Sequence, residues 1–269
     1  MDSILPLLKE TQEAAVAVRK LSDQQRADLL HSIADKVLTN SSQIVVENQK
    51  DLDLIEDGDP KKDRLLLNDK RIADLAQSLR DVAALPDPTG EVLLERTIQQ
   101  GLSLKKIAVP LGVVGVIYES RPNVTLDVAS LCLRSANGCV LKGGKEAHFS
   151  NTILVGLIHQ ALSEFGVPAA AVMLLPTGRE FVMELLTATK YVDIIIPRGS
   201  EGLIKFVRQN SLVPTIETGA GVCHTYVERT GDLDKAANIV VNAKVSRPSV
   251  CNSLDTILVD KDVAETFLP

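Results

Sequence analysis

The residue best suited to chemistry in this sequence is Cys251, in the heptapeptide SRPSVCN that spans residues 246–252. A thiolate is strongly nucleophilic near neutral pH, and a nearby cation lowers the pKa of the thiol that forms it. The small residues, the proline and Arg247 around Cys251 are compatible with an accessible, electropositive loop. The segment leaves two alternatives open, a reactive cysteine or the ordinary case of a buried free thiol.

The other cysteines are interpreted as structural. Cys132 and Cys139 fit the usual behaviour of a free thiol, which packs as a small buried hydrophobe. Cys223 precedes His224 in a strand-like run, and adjacent strand residues point to opposite faces, so this histidine is a poor base for that thiol. The cysteines contain no CxxC pair of the kind that zinc sites use, so no metal site is predicted.

Two glycine-containing turns follow strand-like runs and could bind phosphate. LKGGKEA at 141–147 offers bare backbone amides and ammonium groups, and IPRGSEG at 196–202 offers amides at the start of a helix. The alternative for either turn is an ordinary connection that needs glycine for its geometry. GAG at 219–221 lacks the third glycine of a dinucleotide fingerprint. The residues predicted to bind a cofactor are Lys142, Gly143, Gly144, Lys145, Gly199 and Ser200.

The elements that would position these residues alternate along the chain after Pro110. The runs with strand character are GVVGVIYE, CVLKG, AVMLLP, VDIIIP and VPTIET, and the longer segments between them have helical character. Such alternation is the sequence form of repeated βαβ units. The sequence therefore predicts an α/β fold with a doubly wound parallel sheet, which binds ligands at the carboxyl ends of its strands.

The amino-terminal part of the chain has a different character. Residues 1–85 show helical periodicity, with a capping box at Ser22 and Gln25, and their narrow apolar stripes predict helices laid against a larger body. Residues 91–110 contain two β-leaning runs around QQG, which predict a projecting hairpin.

Composition argues against several classes of protein. The chain has 269 residues, 45% of them hydrophobic, and a mean hydropathy of +0.11, so it can bury a large core. Its 29 basic and 35 acidic residues give a net charge of −6 without a long basic run, which disfavours nucleic acid as a partner. The amino terminus lacks a signal-peptide pattern, and no apolar run approaches the roughly 20 residues of a membrane span. A cytoplasmic protein without membrane contact is predicted.

Longer stretches of the sequence carry a resemblance to a known family. They are residues 109–147, VDIIIPRGSEGL, GVCHTYVE, VNAKVSRPSVCN and LDTILVD, and they keep the family's order. These stretches closely resemble the γ-glutamyl phosphate reductases of the aldehyde dehydrogenase superfamily. The resemblance implies an aldehyde dehydrogenase-like fold with a Rossmann-like cofactor domain. It also implies NADPH-dependent reduction of L-glutamyl 5-phosphate to L-glutamate 5-semialdehyde, with release of phosphate, in proline biosynthesis.

The resemblance assigns catalytic roles to particular residues. Cys251 occupies the nucleophile position, where its thiolate would attack the acyl phosphate, release phosphate and leave a thioester for reduction by hydride. Asn123 is the preferred donor to the oxyanion, the alternative being that it only caps the following helix. Arg121 and Arg247 are expected to bind the substrate carboxylate or the leaving phosphate, and Arg121 is the alternative oxyanion donor.

The cofactor residues follow from the same resemblance. Lys142 matches the superfamily lysine that reaches the adenosine ribose. Lys145 lies where NAD-preferring relatives carry an acid for the 2′-hydroxyl, so its ammonium favours a 2′-phosphate and predicts NADPH. Glu217 lies close to the position of a glutamate that activates water in hydrolytic aldehyde dehydrogenases, which leaves a hydrolytic enzyme as a rival interpretation.

The resemblance also implies a domain organisation. Residues 1–90 and 111–218 would form the NADP-binding domain, 91–110 an oligomerisation hairpin, and 219–269 the first part of a catalytic domain. Members of the family continue well beyond this point, so this polypeptide is expected to show little or no reductase activity. An inactive nucleotide-binding remnant is a further alternative. The expected partners are L-glutamyl 5-phosphate, glutamate 5-kinase as its supplier and, for the full-length protein, further copies in a homo-oligomer.

Overall fold

The computed structural model describes residues 3–56, 58–59, 61–217, 221–246, 248 and 252–269. The chain divides into two compact units, Met1–Glu217 and Thr218–Pro269. Among the described residues, no helix is both long enough and apolar enough to cross a bilayer.

The first unit contains an amino-terminal group of helices, a hairpin and a parallel sheet with its own helices. Its helices are α1 (Leu5–Lys20), α2 (Asp23–Thr39), α3 (Ser41–Leu52), α4 (Lys61–Leu65), α5 (Asp69–Ala83), α6 (Pro122–Arg134), α7 (His148–Glu164), α8 (Glu180–Thr187) and α9 (Glu201–Asn210). Its strands are β1 (Val92–Thr97), β2 (Ser103–Ile107), β3 (Val113–Tyr118), β4 (Gly138–Lys142), β5 (Val172–Leu174) and β6 (Ile194–Arg198). The predicted α/β alternation after Pro110 is confirmed for these strands.

The parallel sheet has the strand order β5-β4-β3-β6. Its central strand β3 pairs with β4 on one side and β6 on the other, so that Val114 lies opposite Cys139 and Ile194. The prediction of a further strand at VPTIET is wrong for the described residues, because this segment meets β6 only in one bridge, between Thr215 and Ile195. In that bridge the Ile195 amide donates to the Pro214 carbonyl oxygen at 2.8 Å and the Ile216 amide donates to the Ile195 carbonyl oxygen at 3.0 Å, and among the described residues no second bridge extends it into a strand.

Alternate residues of β3 face two separate apolar layers. Val114, Val116 and Tyr118 belong to a core shared with α2, α5, α6 and α7. Val113 and Ile117 belong to a core shared with α8 and α9. Helix α1 contributes to both cores. A strand whose side chains are buried on both faces is typical of a doubly wound sheet.

The amino-terminal helices begin where their local sequences predict. The Ser22 hydroxyl accepts a hydrogen bond from the Gln25 amide at 3.2 Å, and the Gln25 side chain accepts one from the Ser22 amide at 2.8 Å. This reciprocal pair is the predicted capping box of α2. Helix α5 begins at Asp69, with the Asn68 side chain as its cap.

Strands β1 and β2 form an antiparallel hairpin in which every residue is exposed. Its tip, Gln99–Gly101, is a 3₁₀ turn in which Gln100 and Gly101 have left-handed φ values of 66° and 79°. Both faces of this two-stranded ribbon present aliphatic side chains to solvent, including Leu93, Leu102 and Leu104. The oligomerisation role of the hairpin stays a prediction.

The second unit is a single βαβ element followed by a short helix. Its members are β7 (Cys223–Val227), α10 (Leu233–Val245), β8 (Leu254–Val259) and α11 (Lys261–Phe267). Strands β7 and β8 are parallel, and Val227, Val240 and Leu254 pack together between them and α10. The Lys244 ammonium donates to the Leu254 carbonyl oxygen at 2.9 Å and so joins the end of α10 to the start of β8.

Candidate active site

The turns that follow β3, β4, β5 and β6 meet at one edge of the parallel sheet, which we call the carboxyl edge. The register places Ile117 of β3 opposite both Lys142 of β4 and Pro197 of β6, so these three strands end at the same edge of the sheet. Ligands of open α/β sheets bind at such an edge. The carboxyl edge brings together all the predicted cofactor residues, although they are separated by as many as 58 positions, from Lys142 to Ser200.

Lys142, the last residue of β4, is buried, with 4% of its surface exposed. Its ammonium donates to the Thr177 carbonyl oxygen at 3.1 Å and to the Gly143 carbonyl oxygen at 3.3 Å. Burial lowers the pKa of Lys142, and the charges of Glu146 and Glu180 oppose that shift. An ammonium has three N–H donors, and the described residues accept from two directions, so the third can reach a ligand.

Gly143 and Gly144 are required by close packing. A Cβ on Gly143 would clash with the Asn151 side-chain amide and lie 3.2 Å from the Tyr118 ring. A Cβ on Gly144 would clash with the Glu146 carboxylate. The glycines of this turn therefore permit protein contacts as well as any approach of a ligand.

A buried polar network lies under the turn that follows β4. The Tyr118 and Thr125 hydroxyls are 2.7 Å apart, and the Thr125 hydroxyl donates to the side-chain oxygen Oδ1 of Asn151 at 2.8 Å. Burial raises the pKa of Tyr118 well above its ordinary value of 10.0. The phenol therefore stays neutral, and the network links β3, α6 and α7 beneath Gly143.

Glu146 binds the turn that follows β3. Its Oε1 accepts hydrogen bonds from the Ser120 amide and the Ser120 hydroxyl, both at 2.8 Å. Ser120 has a left-handed φ of 42°, which is strained for a residue with a side chain. Burial opposes ionisation of Glu146, but its own amide, both Ser120 groups and Lys61 outweigh burial and lower the pKa. The ionised carboxylate thus holds the backbone just before Arg121.

Arg121 and Asn123 lie at the start of α6, on either side of Pro122. Arg121 is the residue before the first helical position, and no side chain caps this helix. The alternative that Asn123 only caps the helix is therefore wrong. Asn123 lies within the first turn, where its side-chain amide donates to Asp127 at 3.0 Å. Burial raises the pKa of Asp127, and the bond from Asn123 opposes that shift.

The turn that follows β6 is held by a carboxylate from β3. The Ser200 amide donates to Glu119 Oε2 at 2.8 Å, and the Ser200 hydroxyl lies 3.4 Å from Glu119 Oε1. A Cβ on Gly199 would lie 2.5 Å from Glu119 Oε2. The Ser200 hydroxyl also accepts from the Leu203 amide at 3.3 Å and caps α9. The amide predicted to bind phosphate therefore already has an anionic partner.

The structure does not test the roles predicted for several other residues. Cys251 and Arg247 lie outside the described residues, as do two members of the GAG sequence, Gly219 and Ala220. Lys145 is exposed beside Glu146. Glu217 lies 3.6 Å from Arg208 in an ion pair. The roles predicted for these residues stay predictions.

The structural interpretation of Cys132 and Cys139 agrees with their surroundings, while that of Cys223 stays a prediction. Cys132 and Cys139 are buried, and the Cys132 thiol together with burial raises the pKa of Cys139. A thiol in such surroundings is a poor nucleophile. Cys223 is partly exposed on β7, and the exposed His224 ring lies 2.8 Å from the Val222 carbonyl oxygen. Among the described residues, no group of three or more His, Cys, Asp or Glu is arranged to hold a metal ion.

Sequence reasoning missed the two glutamates that hold the turns of the carboxyl edge. Glu119 directly follows β3 and Glu146 closes the KGGKE turn, but neither position has a local pattern that specifies its contact. Their partners Ser200 and Ser120 are 81 and 26 residues away in the chain. Only the pairing of β3 with β4 and β6 brings each carboxylate to its serine.

The fold is that of α/β proteins with a doubly wound parallel sheet, a class that binds ligands at the carboxyl ends of its strands. Residues 4–269 match the aldehyde dehydrogenase family, and the chain belongs to this family. Similar proteins include the γ-glutamyl phosphate reductase of Legionella pneumophila (strain Lens), which is 50% identical over 255 residues, or 95% of this chain and 61% of that protein. That of Chlorobium phaeobacteroides (strain BS1) is 49% identical over 261 residues, or 97% of this chain and 63% of that protein.

A solved structure agrees with both the fold and the resemblance. The crystal structure of γ-glutamyl phosphate reductase from Thermotoga maritima superposes with a TM-score of 0.91 at 37% identity, covering 100% of this chain and 66% of that one. The predicted aldehyde dehydrogenase-like fold is confirmed. The chain spans about 61% of the length of the Legionella relative.

The family implies a nicotinamide cofactor, and the carboxyl edge fits one with a single reservation. The buried ammonium of Lys142 and the exposed Lys145 suit a phosphorylated dinucleotide. The turn after β6 suits it only after Glu119 has left the Ser200 amide.

Proposed function

We propose that this chain forms the cofactor-binding and nucleophile-bearing part of an NADPH-dependent γ-glutamyl phosphate reductase. Such an enzyme reduces L-glutamyl 5-phosphate to L-glutamate 5-semialdehyde and phosphate, a step of proline biosynthesis. The observation that carries this proposal is the 50% identity with the Legionella reductase over 95% of the chain. The arrangement of the carboxyl edge supports the cofactor part of it.

The cofactor would be held by the turns that follow β4 and β6. The remaining N–H of Lys142 would bond a ribose hydroxyl, while the Thr177 and Gly143 carbonyl oxygens hold the rest of the ammonium. Lys145, exposed at the same turn, would pair with a 2′-phosphate and so favour NADPH over NADH. The bound cofactor supplies a hydride.

The nucleophile would be the thiolate of Cys251. It attacks the acyl carbon of the substrate, a C–S bond forms, and the C–O bond to phosphate breaks with its electron pair on the leaving phosphate. A thioester remains on the cysteine, and its carbonyl is a better hydride acceptor than that of an oxygen ester.

Asn123 would donate to the oxyanion that forms during this attack. Its side-chain amide carries two N–H groups, and one of them bonds Asp127 at 3.0 Å. That bond fixes the amide, so the second N–H has a defined direction, as oxyanion stabilisation requires. Arg121 and Arg247 would bind the substrate carboxylate or the leaving phosphate. The hydrogen bond from the Ser120 amide to the Glu146 carboxylate fixes the backbone conformation just before Arg121.

The mass of the intact protein after incubation with an acyl-phosphate analogue tests the chemistry. The wild type should gain one acyl group with release of one phosphate, and Cys251→Ser should gain none. An equal gain by both proteins would remove Cys251 from the reaction. NADPH binding without acylation would favour a nucleotide-binding remnant. Oxidation of the semialdehyde without added phosphate would favour a hydrolytic aldehyde dehydrogenase.

The proposal extends to location and partners. A biosynthetic reductase of this kind would act in the cytoplasm on substrate supplied by glutamate 5-kinase. The exposed hairpin β1–β2 would bind another copy of the protein, because an isolated two-stranded ribbon with aliphatic faces gains stability only against a partner.

A further inference from the structure

Glu119 directly follows Tyr118, the last residue of β3 that is paired with β6. Its amide lies 3.3 Å from the Arg198 carbonyl oxygen, which continues the ladder one residue beyond Tyr118. From there its side chain reaches the Ser200 amide, at 2.8 Å, and the Ser200 hydroxyl, at 3.4 Å. The contact explains Gly199, since any side chain at that position would collide with the Glu119 carboxylate 2.5 Å away.

The carboxylate of Glu119 accepts from the Ser200 amide, which the sequence predicts as a donor to a cofactor phosphate. A carboxylate and a phosphate are both anions that accept from a backbone N–H, and both are favoured at the start of a helix such as α9. One amide hydrogen cannot serve two anions fully. Any diphosphate that binds at Ser200 must therefore displace Glu119.

Glu146, at the neighbouring turn, differs from Glu119 in how firmly it is held. Glu146 accepts both the amide and the hydroxyl of Ser120 at 2.8 Å, and Ser120 itself is largely buried. Glu119 makes one close bond to Ser200, in an exposed contact, and its second contact is long. Of the two carboxylates, Glu119 is the one that can exchange with a ligand.

We propose that Glu119 is an internal competitor for the cofactor diphosphate and sets the affinity of the carboxyl edge for its dinucleotide. The proposal rests on the proposed function only in naming the ligand as NADPH. Removing the negative charge at this position should strengthen binding, because a neutral amide oxygen accepts more weakly than a carboxylate.

The test compares Glu119→Gln with a matched control, Glu201→Gln. Glu201 is an exposed acid in the first turn of α9 that pairs with Lys205 at 2.8 Å, so its substitution removes the same charge near the same helix start. Inorganic pyrophosphate is titrated into each ¹⁵N-labelled protein while the Ser200 amide resonance is followed. NADPH affinity is measured separately by calorimetry, with adenosine 2′-monophosphate as a ligand that lacks the diphosphate.

We expect pyrophosphate to shift the Ser200 resonance of Glu119→Gln at about one tenth of the concentration that the wild type needs, with Glu201→Gln within about twofold of wild type. NADPH should bind Glu119→Gln about tenfold more tightly, a difference of ~1.4 kcal/mol. Adenosine 2′-monophosphate should bind all three proteins alike. Glu119→Asp, whose shorter side chain withdraws from Ser200, is a second variant with the same expected direction.

Each other outcome has a defined meaning. Equal or weaker pyrophosphate response in Glu119→Gln, or equal gains in both glutamine variants, would overturn the competition at Ser200. So would the absence of any Ser200 response in every protein. Failure of NADPH to bind any of the folded proteins would overturn the proposed cofactor, while the pyrophosphate titration would still decide the role of Glu119.

Discussion

The ammonium of Lys142 donates to the carbonyl oxygen of Thr177 at 3.1 Å and so joins the turn after β4 to the turn after β5. The two residues are 35 positions apart in the chain. A buried cation is costly unless it is paired and hydrogen-bonded. The ammonium of Lys142 is buried at the edge of the sheet where a ligand is expected to bind. This position favours a binding role for Lys142 in addition to its structural one.

Replacing Lys142 by methionine keeps the aliphatic stem and removes the charge. We expect NADPH affinity, measured by calorimetry, to fall at least about tenfold, because a charge-assisted hydrogen bond to the ligand is lost. Lys205→Met removes an exposed lysine from α9 and should leave affinity within about twofold. Equal losses in both variants would show that only overall charge matters.

Replacing Lys145 by glutamate tests the choice of cofactor. An acid at this turn would repel a 2′-phosphate but could accept from a 2′-hydroxyl. NADPH binding should therefore weaken far more than NADH binding, by about tenfold or more in the ratio of their dissociation constants. Equal weakening of both would remove Lys145 as a determinant of preference.

Replacing Glu146 by glutamine tests whether the ionised Glu146 carboxylate stabilises the protein by accepting hydrogen bonds from Ser120. The test is the pH dependence of the stability. Because the pKa of Glu146 is lowered from 4.5 in the folded protein, its carboxylate stabilises the fold above that value and loses this effect as pH falls through the lowered pKa. At neutral pH the variant should be less stable by about 1–2 kcal/mol in urea unfolding, and the gap should close in acid.

The control for this experiment is Glu10→Gln, which removes an exposed acid from α1. Its stability should follow that of the wild type through the whole pH range. If the difference in free energy of unfolding between wild type and Glu146→Gln stayed constant down to strong acid, the ionised Glu146 carboxylate would not be the stabilising group.

Alanine substitutions at two glycines should have opposite effects. Gly143→Ala places a methyl group against Asn151 and Tyr118, and we expect a loss of about 1–3 kcal/mol in the free energy of unfolding. Gly156→Ala lies within α7 where a Cβ meets nothing within 4 Å, and we expect a gain of about 0.5–1 kcal/mol. Similar effects at both sites would mean that the turn after β4 can relax around a side chain.

The hairpin β1–β2 predicts self-association. Leu102→Asp changes a side chain that is 62% exposed next to the hairpin tip, and light scattering should show a shift towards the 29.0 kDa monomer. Leu54→Asp changes a leucine that is 68% exposed outside the hairpin and should leave the mass unchanged. A wild-type protein that is already monomeric would contradict the role of the hairpin.

The local elements of this fold could be predicted from short stretches of sequence. The capping box of Ser22 and Gln25 involves residues three positions apart, and the strands β3, β4 and β6 are apolar runs between turn residues. The VPTIET segment pairs with β6 in only one bridge, between Thr215 and Ile195, because apolar character in one segment does not specify how far its pairing with a distant strand extends. Asn123 does not cap α6, because the helix already begins at Pro122 and Asn123 lies within its first turn.

By itself, the sequence determined the alternation of strands and helices and the glycine turns, since these depend on residue types at short spacing, while the nucleophile role of Cys251 came from the family resemblance and stays a prediction. Only the tertiary structure decided that Glu119 bonds Ser200, that Glu146 bonds Ser120 and that Lys142 bonds Thr177. These contacts join residues 26 to 81 positions apart, and their partners are chosen by the order and register of the strands in the sheet. These contacts depend on how the whole unit packs, so they cannot be predicted from any single segment of the sequence.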